Sequence, residues 1–152
     1  KEDLQHALPR VIPTLSKKPE AKIVIVHDQD KYNCKKLKHD LMNLASHSAC
    51  PVLVRIACRE LESWLMGDMA AIQRAYPRFK KAQFQNKRKF RNTDTITEPS
   101  AELKKIVPEL KPYDALPKTK TASEISAYMD IKKNRSTSFN HFVSGIIRLI
   151  NN

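Results

Sequence analysis

Two short apolar runs constrain the architecture more than anything else in the chain. Residues 22–26 (Lys-Ile-Val-Ile-Val) and 52–57 (Val-Leu-Val-Arg-Ile-Ala) are both rich in β-branched residues. Between them Leu37, Leu41, Leu44 and Ala45 recur at the spacing of an amphipathic helix. Strand, helix and strand in that order predict parallel pairing through a right-handed crossover. Each run is nearly continuous, so both read as strands buried on two faces. Two such strands do not stand alone. A further strand is therefore expected ahead of Lys1 or from a partner, and an α/β fold with an incomplete sheet follows.

The remaining apolar patterns are helical. Leu4, Leu8, Val11, Ile12 and Leu15 predict a helix over 2–15, with a kink or break at Pro9 and Pro13. A helix over 59–66 follows from Leu61, Trp64 and Leu65, and another opens at Pro99 and carries Leu103, Ile106, Val107 and Leu110. Ile125, Tyr128 and Met129 predict a short helix over 122–130. Phe139, Phe142, Val143, Ile146, Ile147 and Ile150 predict the last one, with Ser136 or Ser138 as its cap. The chain reads as one domain over 1–152, with a core at 20–75, a basic segment at 74–93 and a helical C-terminal part at 99–152.

Composition removes several functions. Glycine occurs twice, at Gly67 and Gly145, so neither a phosphate-binding Walker loop nor a dinucleotide fingerprint can be built. No apolar run approaches the roughly 20 residues that span a bilayer. Cys34, Cys50 and Cys58 form no C-x-x-C pair, which predicts a reduced, cytoplasmic protein with each thiol a small buried hydrophobe. The five histidines are dispersed without metal-ligand spacing.

Charge is the strongest hint of a partner. Lys and Arg number 28 against 16 Asp and Glu, so the net charge is 28 − 16 = +12. No acidic residue occurs over 69–93, while Arg74, Arg78, Lys80, Lys81, Lys87, Arg88, Lys89 and Arg91 do. Tyr76, Phe79, Phe84 and Phe90 are interleaved with them. Basic side chains release counterions from a polyphosphate, and aromatic faces stack on unpaired bases. Nucleic acid is the expected partner, DNA ahead of RNA, and not a membrane. The competing reading is a solvated basic loop whose aromatics tuck into the core.

Against this stand carboxylates at strand ends. His27-Asp28-Gln29-Asp30 follows the first strand, at the edge where open α/β sheets place ligands. If the segment stays extended, Asp28 and Asp30 point the same way and can share Mg²⁺ or Mn²⁺. A strand followed by an Asx-type turn is the plainer alternative. Past the second strand lie Glu60 and Glu62. On a helix they point about 160° apart, so one of them, Glu62 by preference, is expected to face the site. Lys118 and Arg135, before two of the helices, are candidates for phosphate contacts.

His27-Asp28-Gln29-Asp30, the block Arg59-Glu60-Leu61-Glu62-Ser63-Trp64-Leu65 and Gly67-Asp68 resemble a bacterial family of Toprim-like proteins, itself a domain of unknown function. Phe90-Arg91-Asn92, Tyr113 with Lys118, and Arg135-Ser136-Thr137-Ser138-Phe139 are similar to later blocks of that family. The resemblance implies a Toprim fold, a parallel sheet with helices on both faces. It further implies a Mg²⁺-dependent nuclease, with Asp28 and Asp30 as the Asp-x-Asp pair and Glu62 as an additional acid. Arg74, Lys80, Lys81, Lys87, Arg88, Lys89, Arg91, Lys118 and Arg135 would then hold the strand. Such proteins are often encoded beside an AAA- or ABC-type ATPase in phage-defence systems. The glutamate that Toprim proteins carry on their first strand has no counterpart here, since Glu2 precedes a helix-like segment. Two other readings stand beside this one. One is a non-catalytic subunit that binds nucleic acid or a partner. The other is a phosphohydrolase of the haloacid-dehalogenase kind, although Lys31-Tyr32 replaces the Gly-Thr usual there.

Overall fold

The computed structural model describes residues 2–151. Lys1 lies outside them. The elements in chain order are α1 (Glu2–Leu15), β1 (Ile23–Asp28), α2 (Cys34–Leu44), β2 (Val52–Ala57), α3 (Glu62–Met66), α4 (Met69–Ala75), α5 (Pro99–Ile106), α6 (Lys118–Ser126) and α7 (Thr137–Asn151). Short 3-10 turns occur at Lys81–Gln83, Arg88–Phe90, Thr93–Thr95 and Pro108–Leu110. The fold is mixed α/β, with β1 and β2 paired in a small parallel sheet and a helical C-terminal part. The chain divides into two compact units, one made of residues through Ile56 together with those from His141 onward, the other Ala57–Asn140.

The first unit is built on the predicted crossover. Leu8 and Ile12 of α1, Leu37 and Leu41 of α2, Ile25 of β1, and Val54 and Ile56 of β2 form one buried cluster. Asn33 caps α2, its side chain accepting the Lys36 amide at 3.0 Å. Strand alternation turns Arg55 away from Val54 and Ile56. There it meets α7, donating from Nε to the His141 carbonyl at 2.9 Å and leaving no room for a Cβ at Gly145. Lys22 adds a bond to the Ile150 carbonyl at 3.1 Å. Helices therefore cover both faces of this two-stranded sheet.

Several expectations need correction. Pro9 and Pro13 do not break α1, which runs through both. Leu8 and Ile12 are buried on its inner side, whereas Pro9 is exposed, where a carbonyl left without an amide partner can reach water. β1 is not buried on both faces: Ile25 and His27 are buried, while Val24 is 37 % exposed. The strand also extends two residues further than expected, through His27 and Asp28. The helix expected over 59–66 begins only at Glu62, because Arg59 takes a left-handed φ of 62°. The pattern after Pro99 divides at Val107, whose extended φ and ψ are those a following proline imposes.

The second unit has its own core. Leu65, Met66, Ile72, Phe79, Phe90, Leu103, Val107, Leu110 and Ile125 are buried together. α3 packs against α4, α5 and α6. Asp68 caps α4 by accepting the Ala70 and Ala71 amides, each at 3.0 Å, and its other oxygen accepts the Asp130 amide at 2.8 Å. The loop after α6 is fixed by buried Asn134, which donates to the Trp64 carbonyl at 2.8 Å and accepts the Ser136 amide at 2.9 Å.

Candidate functional site

The Asp28–Asp30 pair ends β1 in the first unit. His27 is on the buried side, 5 % exposed, and strand alternation turns Asp28 to the opposite face. Nδ1 of His27 lies 2.6 Å from the Asp28 carbonyl oxygen, which can only accept, so Nδ1 carries the proton. Its Nε2 is buried without a hydrogen-bond partner. Extended structure stops at Asp28. Asp30 takes a left-handed φ of 51°, and the Tyr32 amide closes a turn on the Gln29 carbonyl at 3.0 Å. Asp28 and Asp30 are therefore not alternate positions of one extended segment, because a turn follows the strand. Both residues are half-buried.

A second acidic group lies in the second unit, and it is tighter than expected. Because α3 starts at Glu62, Glu60 precedes the helix and helical geometry does not separate the two side chains. Both reach the same cation: Lys118 Nζ is 3.5 Å from Glu60 Oε1 and 3.4 Å from Glu62 Oε1. Glu60 Oε2 accepts the Ser100 hydroxyl at 2.5 Å and the Ser100 amide at 2.9 Å. Burial pushes the Glu60 carboxyl up, but the two Ser100 bonds and Lys118 outweigh it and hold the group below its ordinary value. Glu62 is 3 % exposed, and its Oε2 has no hydrogen-bond partner. Two carboxyl groups thus lie against one ammonium; Glu62 is closed to water, while Glu60 is half-buried and Lys118 is exposed.

Carboxylate oxygens are the donors that Mg²⁺ and Mn²⁺ take. Glu62, with its orphaned buried oxygen, and Glu60 offer oxygens of that kind, with the Lys118 ammonium already against both. Among the described residues, no group of three or more His, Cys, Asp and Glu side chains is arranged to hold a metal.

The basic segment separates by side-chain class. Arg74, Arg78, Lys80, Lys87, Arg88, Lys89 and Arg91 are exposed, and Lys81 is half-buried. Three of the four aromatics are buried away from bases, and Phe84 is half-buried. Phe79 and Phe90 are 0 % and 2 % exposed, and Tyr76 is 6 % exposed. Phe84 stacks on Phe79 with ring centroids 5.3 Å apart and meets Phe90 edge-on at 6.0 Å. The 3-10 turn Arg88–Phe90 thus buries its ring while Arg88 and Lys89 stay in water. Lys89 is partly neutralised by Glu102 at 2.6 Å, and Lys87 lies over the Phe84 ring at 4.9 Å.

Sequence reasoning missed Asp94. It accepts the Ser136 hydroxyl at 2.6 Å, the Ser138 amide at 2.7 Å and the Ser138 hydroxyl at 3.1 Å, all at the start of α7. Ser138 Oγ in turn accepts the Trp64 indole N–H at 2.8 Å. A carboxylate is the expected neighbour of a helix start. Its distance in sequence from Ser138 left no local pattern to find it by.

A family model described as a domain of unknown function (DUF4276) matches residues 3–147. The chain belongs to that family. No curated protein and no solved structure matches it. The match covers α2, the acidic groups and the basic segment of this DUF4276 chain alike. No helix among the described residues is long and apolar enough to cross a membrane.

Proposed function

We propose that this DUF4276 chain is a Toprim-like, Mg²⁺-dependent nuclease acting on nucleic acid, DNA ahead of RNA. In a cell it would serve as a cytoplasmic subunit of an anti-phage system beside an ATPase. The buried Glu62 carboxylate with its orphaned oxygen carries the reading, because such a group is costly unless a ligand completes it. The net charge of +12 and the exposed Lys and Arg of the basic segment supply the attraction to a polyanion. A divalent ion, when bound, would activate water and offset charge on the phosphate being cleaved. Glu62 is a ligand in this proposal, with Glu60 held ionised beside it by Ser100 and Lys118. Asp28 and Asp30 are the Asp-x-Asp pair that the Toprim resemblance assigns to metal.

The test is cleavage of single-stranded and duplex DNA and RNA by the full chain with Mg²⁺ or Mn²⁺, alone and with the candidate ATPase. Metal-dependent cleavage abolished by Glu62→Gln and by Asp28→Asn/Asp30→Asn supports the proposal; cleavage unchanged in both variants rejects it.

A second reading has its own observation. Lys118 already pairs with both Glu60 and Glu62, as a purely structural ion-pair group would. The chain would then bind nucleic acid or a partner without catalysis. Salt-sensitive binding that needs no metal and survives loss of Asp28, Asp30 and Glu62 would favour it.

A further inference from the structure

Within the second unit, Gln85, Asn86, Arg91 and Arg135 line an open cleft of about 430 Å³. The volume falls in the range of small-molecule sites. Two arginines and two carboxamide-bearing residues line it, and no acidic residue does. The Arg91 side chain makes no hydrogen bond or ion pair among the described residues. Arg135 donates from Nη1 to the Gln85 carbonyl at 2.5 Å, which steadies the guanidinium and leaves its other N–H groups unspent.

Both arginines stand on fixed backbone. Arg91 follows Phe90, which is 2 % exposed, and its amide bonds the Arg88 carbonyl at 3.2 Å. Arg135 sits between Asn134 and Ser136, both buried, and its amide bonds the Gly67 carbonyl at 3.0 Å. Fixed backbone brings both arginines to one cleft, and guanidinium forks suit a tetrahedral oxyanion. Their combined charge of two matches a phosphate monoester, which carries nearly two negative charges at neutral pH, better than an internal phosphodiester, which carries one. The carboxamides can add N–H donors for a third oxygen.

We propose that this cleft binds a phosphate monoester, the terminal phosphate of a nucleic-acid strand or of a free nucleotide. The strand-end source rests on the nucleic-acid reading above; the affinity for a monoester does not.

The test uses the full chain in two measurements. Fluorescence anisotropy follows one oligonucleotide carrying a phosphate at one end, at the other, or at neither. Calorimetric titration compares a nucleoside monophosphate with its nucleoside. The expected result is binding about tenfold tighter with a terminal phosphate, as charge-assisted forks give. That preference is lost in Arg91→Gln and in Arg135→Gln and partly kept in Arg91→Lys, with unchanged circular dichroism. If strands do not bind but the monophosphate does, and both Gln variants lose it, the cleft stands with a nucleotide as its ligand while the nucleic-acid function fails. The proposal is overturned if neither a strand end nor the monophosphate is preferred, or if a preference survives both Gln substitutions.

Discussion

Gly67 shows how much a single side chain can disturb this fold. A Cβ placed there overlaps the side chain of Asn134. Asn134 cannot swing away cheaply, since it is buried and holds the Trp64 carbonyl and the Ser136 amide. Gly67→Ala is therefore expected to lower stability by about 2 kcal/mol, the range of overpacked sites, in urea unfolding monitored by Trp64 fluorescence. Ser138→Ala acts by the opposite route. It adds no atoms but strips an acceptor from the Trp64 indole and a donor from Asp94, both inside the fold. A loss of about 1–3 kcal/mol is expected in the same experiment. Gly67 was legible beforehand only as one of two glycines and Ser138 only as a helix cap, because their partners lie far away in sequence. Asp28 and Glu62 were legible as residues worth testing, because carboxylates next to an apolar strand or helix start stand out. Their surroundings were not: one left-handed φ at Asp30 and another at Arg59 reset the geometry without leaving any trace in the apolar pattern.

At the level of elements, the two strands and the helix between them follow closely from the sequence, since β-branched runs and a leucine stripe have few other solutions. The late start of α3 and the early end of α5 did not, because apolar spacing runs beyond the point where the Arg59 dihedral or Pro108 bounds the helix. How elements are tied gives two expectations for pH. The Tyr76 hydroxyl at the end of α4 donates to Glu124 of α6 at 2.5 Å. Burial and the Glu124 carboxylate push the phenol from 10.0 up to about 12. The proton stays on more firmly in the folded state, so the stabilisation is complete below pH 10 and is lost as pH rises towards 12. Tyr76→Phe is expected to flatten the alkaline limb of the urea midpoint measured against pH. Glu60 behaves in the reverse sense. Its carboxyl is held below the ordinary value of 4.5, so its contribution is present above that pH and fades as the solution is acidified further. Ser100→Ala removes the hydroxyl donor and should move the acid-unfolding midpoint to higher pH.

For the whole molecule, the question is which charges a polyanion meets. The charge of +12 was plain from composition, and so was the acid-free segment. Which of its groups remain usable was not, because a phenylalanine in a basic run reads the same whether it stacks on a base or fills a core. With Phe79 and Phe90 buried, the segment offers charge without stacking. Binding should then be governed by counterion release, with log affinity falling linearly in log salt by about 0.7 to 0.9 per neutralised phosphate. The basic residues are not equivalent in this respect. Lys89 is 2.6 Å from Glu102 and must give up that partner, wholly or in part, to meet a phosphate. Arg88 makes no ion pair among the described residues and is exposed. Arg88→Ala is expected to reduce the salt slope by close to one phosphate's share, and Lys89→Ala by clearly less, in anisotropy titrations from low to physiological salt. Glu102→Gln should raise affinity by freeing Lys89, and that gain should vanish in the Lys89→Ala background. Equal slopes for the Arg88 and Lys89 variants, with no effect of Glu102→Gln, would mean that the strand does not follow this face of the molecule.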